Sequence, residues 1–247
     1  MGGMVAGTLV GPPLGGLLFE WGGYRLPFFV AAAVALAIGL ALALLLERPA
    51  LPARSRRSML LRLVRDRPVL VVAGAIVIHA GALTLLEPTL PLHLQQRFDA
   101  SPGLIGLLFG VSTLAYGVGT PLSGMLADHW NRAGVMALGL ASTALVLPLL
   151  ALPDSLTGTG VIMALVGFAS GLVLVPALPM LADRVDRLGG GAYASLYAIL
   201  NIAYAIGMIA GPIVGSLVAE LVDLLAALAV VALLLLIYTP LVVRERC

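Results

Sequence analysis

The sequence predicts an all-α integral membrane protein that crosses the bilayer eight times. Three observations predict it: a composition too apolar for a water-facing exterior, eight separated apolar runs of about spanning length, and a one-sided distribution of arginine. Hydrophobic residues make up 61% of the 247 and charged residues 11%, with a mean hydropathy of +1.10. Folded soluble proteins keep a large polar exterior, so lipid must solvate the outside of this one. The net charge of +2 is small, and no basic stripe interleaves with aromatics, which argues against a nucleic-acid partner. Cys247 is the single cysteine. It leaves no disulfide framework, no Cys/His metal spacing and no redox pair. No P-loop, H-E-x-x-H or Ser/His/Asp pattern is present, so neither an enzyme nor a cofactor is expected. The first twenty residues lack a basic leader and are broken by Gly and Pro, unlike a signal peptide.

A helix needs roughly 20 apolar residues to cross the hydrocarbon with every backbone group paired internally. Such stretches fall at 3–19, 26–46, 69–92, 103–124, 133–152, 158–182, 192–218 and 221–243. The first is the least apolar. Between them lie short turn-forming segments at 22–25, 99–102, 128–132, 153–154 and 189–191, as tight connections between antiparallel helices require. One longer loop carries Arg48, Arg54, Arg56, Arg57, Arg62, Arg65 and Arg67. Alternate loops from there collect Arg132, then Arg184 and Arg187, then Arg244 and Arg246. The other side keeps only Arg25 and Arg97, beside Glu20, Asp99, Asp154, Glu220 and Asp223. The positive-inside rule therefore places the long loop and the C-terminus in the cytoplasm, with the plasma (inner) membrane as the expected location.

An internal repeat adds architecture. Gly7, Gly11, Pro12, Gly15 and Gly16 in the first span share the pattern G-x-x-x-G-P-x-x-G with Gly207, Gly211, Pro212 and Gly215 in the seventh. Glu20 and Glu220 follow at the same offset. Small residues four apart let helix backbones approach, and the proline bends the helix, so the element suits a helix that rocks or seals against its neighbours. A six-span repeat with a basic loop between its halves is how transporters built from parallel repeats are organised. Residues 1–47 then read as the last two helices of an N-terminal six-helix bundle. Residues 48–68 read as a basic cytoplasmic linker, and 69–247 as a C-terminal six-helix bundle.

The Gly-Pro element resembles the antiporter motif of the fifth helix in proton-coupled drug efflux proteins of the major facilitator superfamily. Gly124, Asp128 and Arg132 resemble the superfamily's G-x-x-x-D-R-x-G-R loop, whose charges clamp two helix ends in that family. His129 and Asn131 stand where Arg and Gly are usual, and Asn tolerates a left-handed turn. A closer likeness, to the vesicular amine transporter group, rests on residues 86–91, 179–186 and 193–199 and covers most of 69–243. The resemblance implies a major facilitator fold whose eight helices correspond to helices 5–12 of a twelve-helix transporter. It also implies proton-coupled efflux of small amphipathic or cationic molecules. The alternatives are a metabolite or sugar facilitator or symporter of the same fold, and a truncated, non-transporting membrane protein. The partners expected are the bilayer, a small-molecule substrate, protons and, if two chains must assemble, a second chain.

Glu87 is the one acidic or basic residue well inside a span. A charge there costs roughly 2.5–3.5 kcal/mol on insertion scales, so it is read by default as functional. The expectation is that it binds a proton or a cationic substrate but not both; the bland reading is a carboxylate reaching headgroups. The resemblance places the matching residue in the substrate and proton pathway. His79 lies on the same helix, about 80° around from Glu87, as a relay or a structural histidine. Asn201 has Tyr197 and Tyr204 at i−4 and i+3 on its face and either lines a cavity or ties helices together. The resembling transporters carry Asp at that position. Asp186 matches their acidic residue at the end of helix ten.

Overall fold

The computed structural model describes residues 2–45, 62–187 and 193–245. Arg48, Arg54, Arg56 and Arg57, the glycines at 189–191, Arg246 and Cys247 lie outside the described residues. Within the described residues eight α-helices follow one another: α1 (Gly2–Gly22), α2 (Arg25–Leu45), α3 (Arg67–Phe98), α4 (Pro102–His129), α5 (Arg132–Val146), α6 (Leu156–Arg187), α7 (Tyr193–Leu221) and α8 (Leu224–Arg244). A 3₁₀ segment, Leu147–Ala151, extends α5. Among the described residues there is no strand. Seven of these helices, α5 counted with its 3₁₀ extension, are long and apolar enough to cross a membrane; α1, interrupted by Pro12 and Pro13, falls outside that set.

Local chemistry sets the boundaries. Ser101 caps α4 by accepting from the N–H of Leu104 at 3.3 Å, with Pro102 at the first helical position. Both features satisfy or avoid an orphan donor of the first turn. Asn131 caps α5 through the N–H of Ala133 at 3.0 Å, and Asp223 caps α8 through Ala226 at 2.6 Å. The expected left-handed turn at Asn131 does not occur. Its backbone is extended (φ −68°, ψ 125°), because an N-cap needs β-region geometry. The left-handed residue is instead Asp99 (φ 50°), which ends α3.

Helices α3–α8 share one apolar core running from Leu63 to Val242. The most extensive pairings are α3 with α7, α4 with α6, α5 with α6, and α5 with α8. On α7 the buried positions Leu196, Ile199, Ala203, Gly207, Gly211 and Gly215 form one helical stripe. It lies against α3 with glycine at the crossing: a Cβ on Gly207 would strike the carbonyl oxygen of Val77, and one on Gly215 the side chain of Leu85. Ion pairs stitch the unit together at the end where the arginine-rich segment enters. Arg184 grips both oxygens of Asp66 at 2.9–3.0 Å, Arg67 meets Glu245 at 3.3 Å, and Arg132 pairs with Asp183.

The first two helices attach differently. α1 lies along α4, and α2, which buries no residue, packs on α1. The two copies of the glycine repeat therefore do different work. Gly207, Gly211 and Gly215 are filled by α3, while Gly7, Gly11 and Gly15 have nothing within 4 Å of a Cβ; in α1 it is Gly16 and the backbone at Pro12 that meet a neighbour.

Candidate functional site

Glu87 lies two-thirds of the way along α3, roughly 30 Å from Arg67 at about 1.5 Å per residue. Its side chain is exposed, as is Pro88, whereas Leu85, Leu86, Thr89 and Leu90 around it are buried. Pro88 and Pro91 lack N–H groups, so the carbonyls of Thr84 and Glu87 lose their usual helical donors. Two hydroxyls support the weakened stretch: Thr84 donates to Ala80 at 2.9 Å and to Gly207 across the helix crossing at 3.4 Å, and Thr89 donates to Leu85 at 2.7 Å. The carboxyl thus sits on a locally loosened helix that is anchored to α7 just below it.

One tyrosine from another helix approaches it. Tyr204 of α7 is half-buried and within electrostatic range of both Glu87 and Tyr116 of α4. Tyr197, Asn201 and Tyr204 run as one stripe along α7, with Tyr197 and Asn201 exposed. The Asn201 amide donates to the carbonyl of Tyr197 at 2.8 Å, which leaves its side-chain oxygen as an open acceptor. Tyr204 is thus related to Glu87 of α3 on one side and to Tyr116 of α4 on the other, and the sequence reading did not include Tyr116. An isolated tyrosine in the glycine-rich α4 has no periodic signal to mark it.

Other expected site residues lie elsewhere. His79 is fully buried in the six-helix core and neither ring nitrogen has a hydrogen-bond partner, so it does not share the exposed face of Glu87. Asp186 occupies the last turn of α6 and accepts from the Tyr193 hydroxyl at 2.5 Å. That turn is at the Asp66–Arg184 end of the unit, a bilayer's thickness from Glu87. The loop motif is rearranged as well. Arg132 reaches Asp183 at the end of α6, Asp128 is exposed and forms no ion pair among the described residues, and Gly124 faces open space. The clamp expected from Asp128 and Arg132 is built from Arg132 and Asp183 instead. Among the described residues no group of three His, Cys, Asp or Glu side chains is arranged to hold a metal.

The described helices form an all-helical unit in which Tyr204 of α7 lies within electrostatic range of Glu87 of α3 and Tyr116 of α4. The Major Facilitator Superfamily model matches residues 72–246, and the chain belongs to that family. It is 31% identical over 242 residues to the chromaffin granule amine transporter of Rattus norvegicus, covering 98% of this chain and 46% of that protein. To the synaptic vesicular amine transporter of Bos taurus it is 29% identical, covering 98% and 47%. To the probable vesicular acetylcholine transporter-B of Danio rerio it is 33% identical, covering 84% and 43%. The chain spans somewhat under half the length of these curated relatives, which are transporters by name rather than enzymes.

Proposed function

We propose that this chain supplies the substrate- and proton-binding half of a secondary transporter that exports small amphipathic or cationic molecules in exchange for protons. The observation that carries this is the exposed Glu87 carboxyl on a proline-loosened membrane helix, within electrostatic range of Tyr204. A carboxylate attracts an organic cation by charge, and a tyrosine close by offers a ring for cation–π contact. The same carboxylate can instead take up a proton. Because one carboxyl serves both ligands, binding either excludes the other, and that exclusion couples the two fluxes. The relatives named for amine and acetylcholine transport make cationic solutes the class to test first. Since those relatives are vesicular by name, the plasma membrane and the cytoplasmic placement of the basic loop are parts of the proposal, supported by the arginine asymmetry.

The test is efflux of a cationic dye from cells expressing the chain, with and without a proton uncoupler, compared with Glu87→Gln. Uncoupler-sensitive efflux that the substitution abolishes is expected. Efflux that ignores the proton gradient would replace the antiporter by a facilitator of the same fold.

A further inference from the structure

Glu20 sits in the last turn of α1, at the end of the molecule opposite the arginine-rich segment. Its carboxylate accepts a hydrogen bond from the backbone N–H of Gly103 at 2.9 Å, and the hydroxyl of Ser101 lies beside it. Ser101 is the cap of α4, and its oxygen takes the Leu104 N–H. The first turn of a helix presents unpaired N–H groups and a partial positive charge, and a carboxylate there gains from both. The fit is close: a Cβ on Gly103 would lie 2.8–2.9 Å from the two carboxylate oxygens and would push the Glu20 side chain aside. One turn back along α1, a Cβ on Gly16 would strike the carbonyl of Pro102, the residue before Gly103. Further on, one on Gly106 would strike the carbonyl of Pro12.

This contact joins two units. α2 rests on α1, and the packing of α1 along α4 is the only extensive tie between this pair and the six-helix unit among the described residues. Glu220, at the same offset in the internal repeat, is exposed and forms no ion pair among the described residues. A glutamate at this offset is thus not needed to end such a helix.

We infer that Glu20 is a latch: it fastens α1 to the start of α4 and closes the seam between the α1–α2 pair and the six-helix unit at this end. When the carboxylate lets go, the seam opens by α1 tilting about the backbone contact between Pro12 and Gly106. The role of that opening as an access route rests on the transporter reading, whereas the latch itself stands on geometry.

The experiment places spin labels at Tyr24→Cys and Gln96→Cys in a Cys247→Ser background and measures their distance distribution in lipid nanodiscs. Glu20→Ala should add a population several ångströms longer. Glu20→Gln should retain the short distance, since its amide oxygen still accepts from Gly103; a longer population in Gln as well as Ala would make the charge the essential part of the latch. An unchanged distribution in Glu20→Ala overturns the inference. A second label pair, Gln96→Cys with Val222→Cys, monitors the six-helix unit. If Glu20→Ala disturbs that pair too, Ser101→Ala decides: it removes the hydroxyl beside the carboxylate without touching α1, and a lengthened Tyr24–Gln96 distance supports the latch while an unaltered one rejects it. This readout is independent of dye efflux, so loss of the transporter reading would not carry the latch with it.

Discussion

Gly81 and Gly211 meet backbone to backbone where α3 crosses α7: a Cβ on Gly211 would strike the carbonyl oxygen of Gly81 and lie 2.6 Å from the Thr84 hydroxyl. The crossing anchors the segment of α3 that ends in Glu87, so a change in its packing acts on both stability and the site.

Substituting Gly211→Val should therefore destabilise the protein by about 1–3 kcal/mol, the usual cost of overpacking a tight interior. Gly11→Ala, at the matching place in the repeat, has open space around it and should be neutral or stabilising by up to about 1 kcal/mol through helix propensity. Thermal unfolding of the two variants in one detergent tests the contrast. Equal losses would mean that both copies of the motif are packed alike.

The Arg132–Asp183 pair is a third to a half exposed, and screening limits what such a pair contributes. A double-mutant cycle of Arg132→Ala and Asp183→Ala should give a coupling of roughly 0.2–1 kcal/mol, typical of solvent-accessible pairs. Asp128→Ala should show no coupling to Arg132. Coupling between Asp128 and Arg132 alone would restore the loop clamp that the sequence motif suggests.

Where the helices begin and end was legible because it depends on run length and turn chemistry, both local, although α1, expected as a span, is not among the seven helices long and apolar enough to cross. Ser101, Asn131 and Asp223 mark helix starts, and the small-residue spacing of Gly207, Gly211 and Gly215 marks a packed face. What remained hidden is decided between helices distant in sequence. α3 is apolar on all sides, so periodicity does not reveal which face meets the core, and His79 and Glu87 can be separated only in three dimensions. Arg132 had Asp128 four residues away, a local partner by spacing, yet the approach of α6 brings Asp183 closer. Tyr116 and the seat of Glu20 on α4 likewise depend on which helices become neighbours.

His79 is buried with both nitrogens unpaired, and each unsatisfied buried polar atom carries a desolvation cost of roughly 1–3 kcal/mol. His79→Leu, of similar bulk, should raise the unfolding temperature and leave proton-coupled efflux intact. Loss of coupling in a stable His79→Leu protein would make the histidine a relay and end its reading as a core residue.

Asn201 offers the sharpest link between local geometry and coupling. Its amide donates to the Tyr197 carbonyl, and it lies one turn before Tyr204, which is within electrostatic range of Glu87. Asn201→Asp exchanges a group that cannot titrate for one that can, and an ionised carboxylate cannot make that donation. The loss of one hydrogen bond should cost about 1 kcal/mol. The gain is a second ionisable group beside the proposed proton site. The pH profile of efflux should then acquire a second titration, with apparent midpoints that belong jointly to Glu87 and the introduced carboxyl. Measuring efflux from about pH 5 to 9, a range that brackets a coupled carboxyl pair, in the wild type, Asn201→Asp and Asn201→Asp with Glu87→Gln separates the steps. A profile in the single variant identical to the wild type would show that this stripe of α7 lies off the proton route and would confine coupling to α3 and α4.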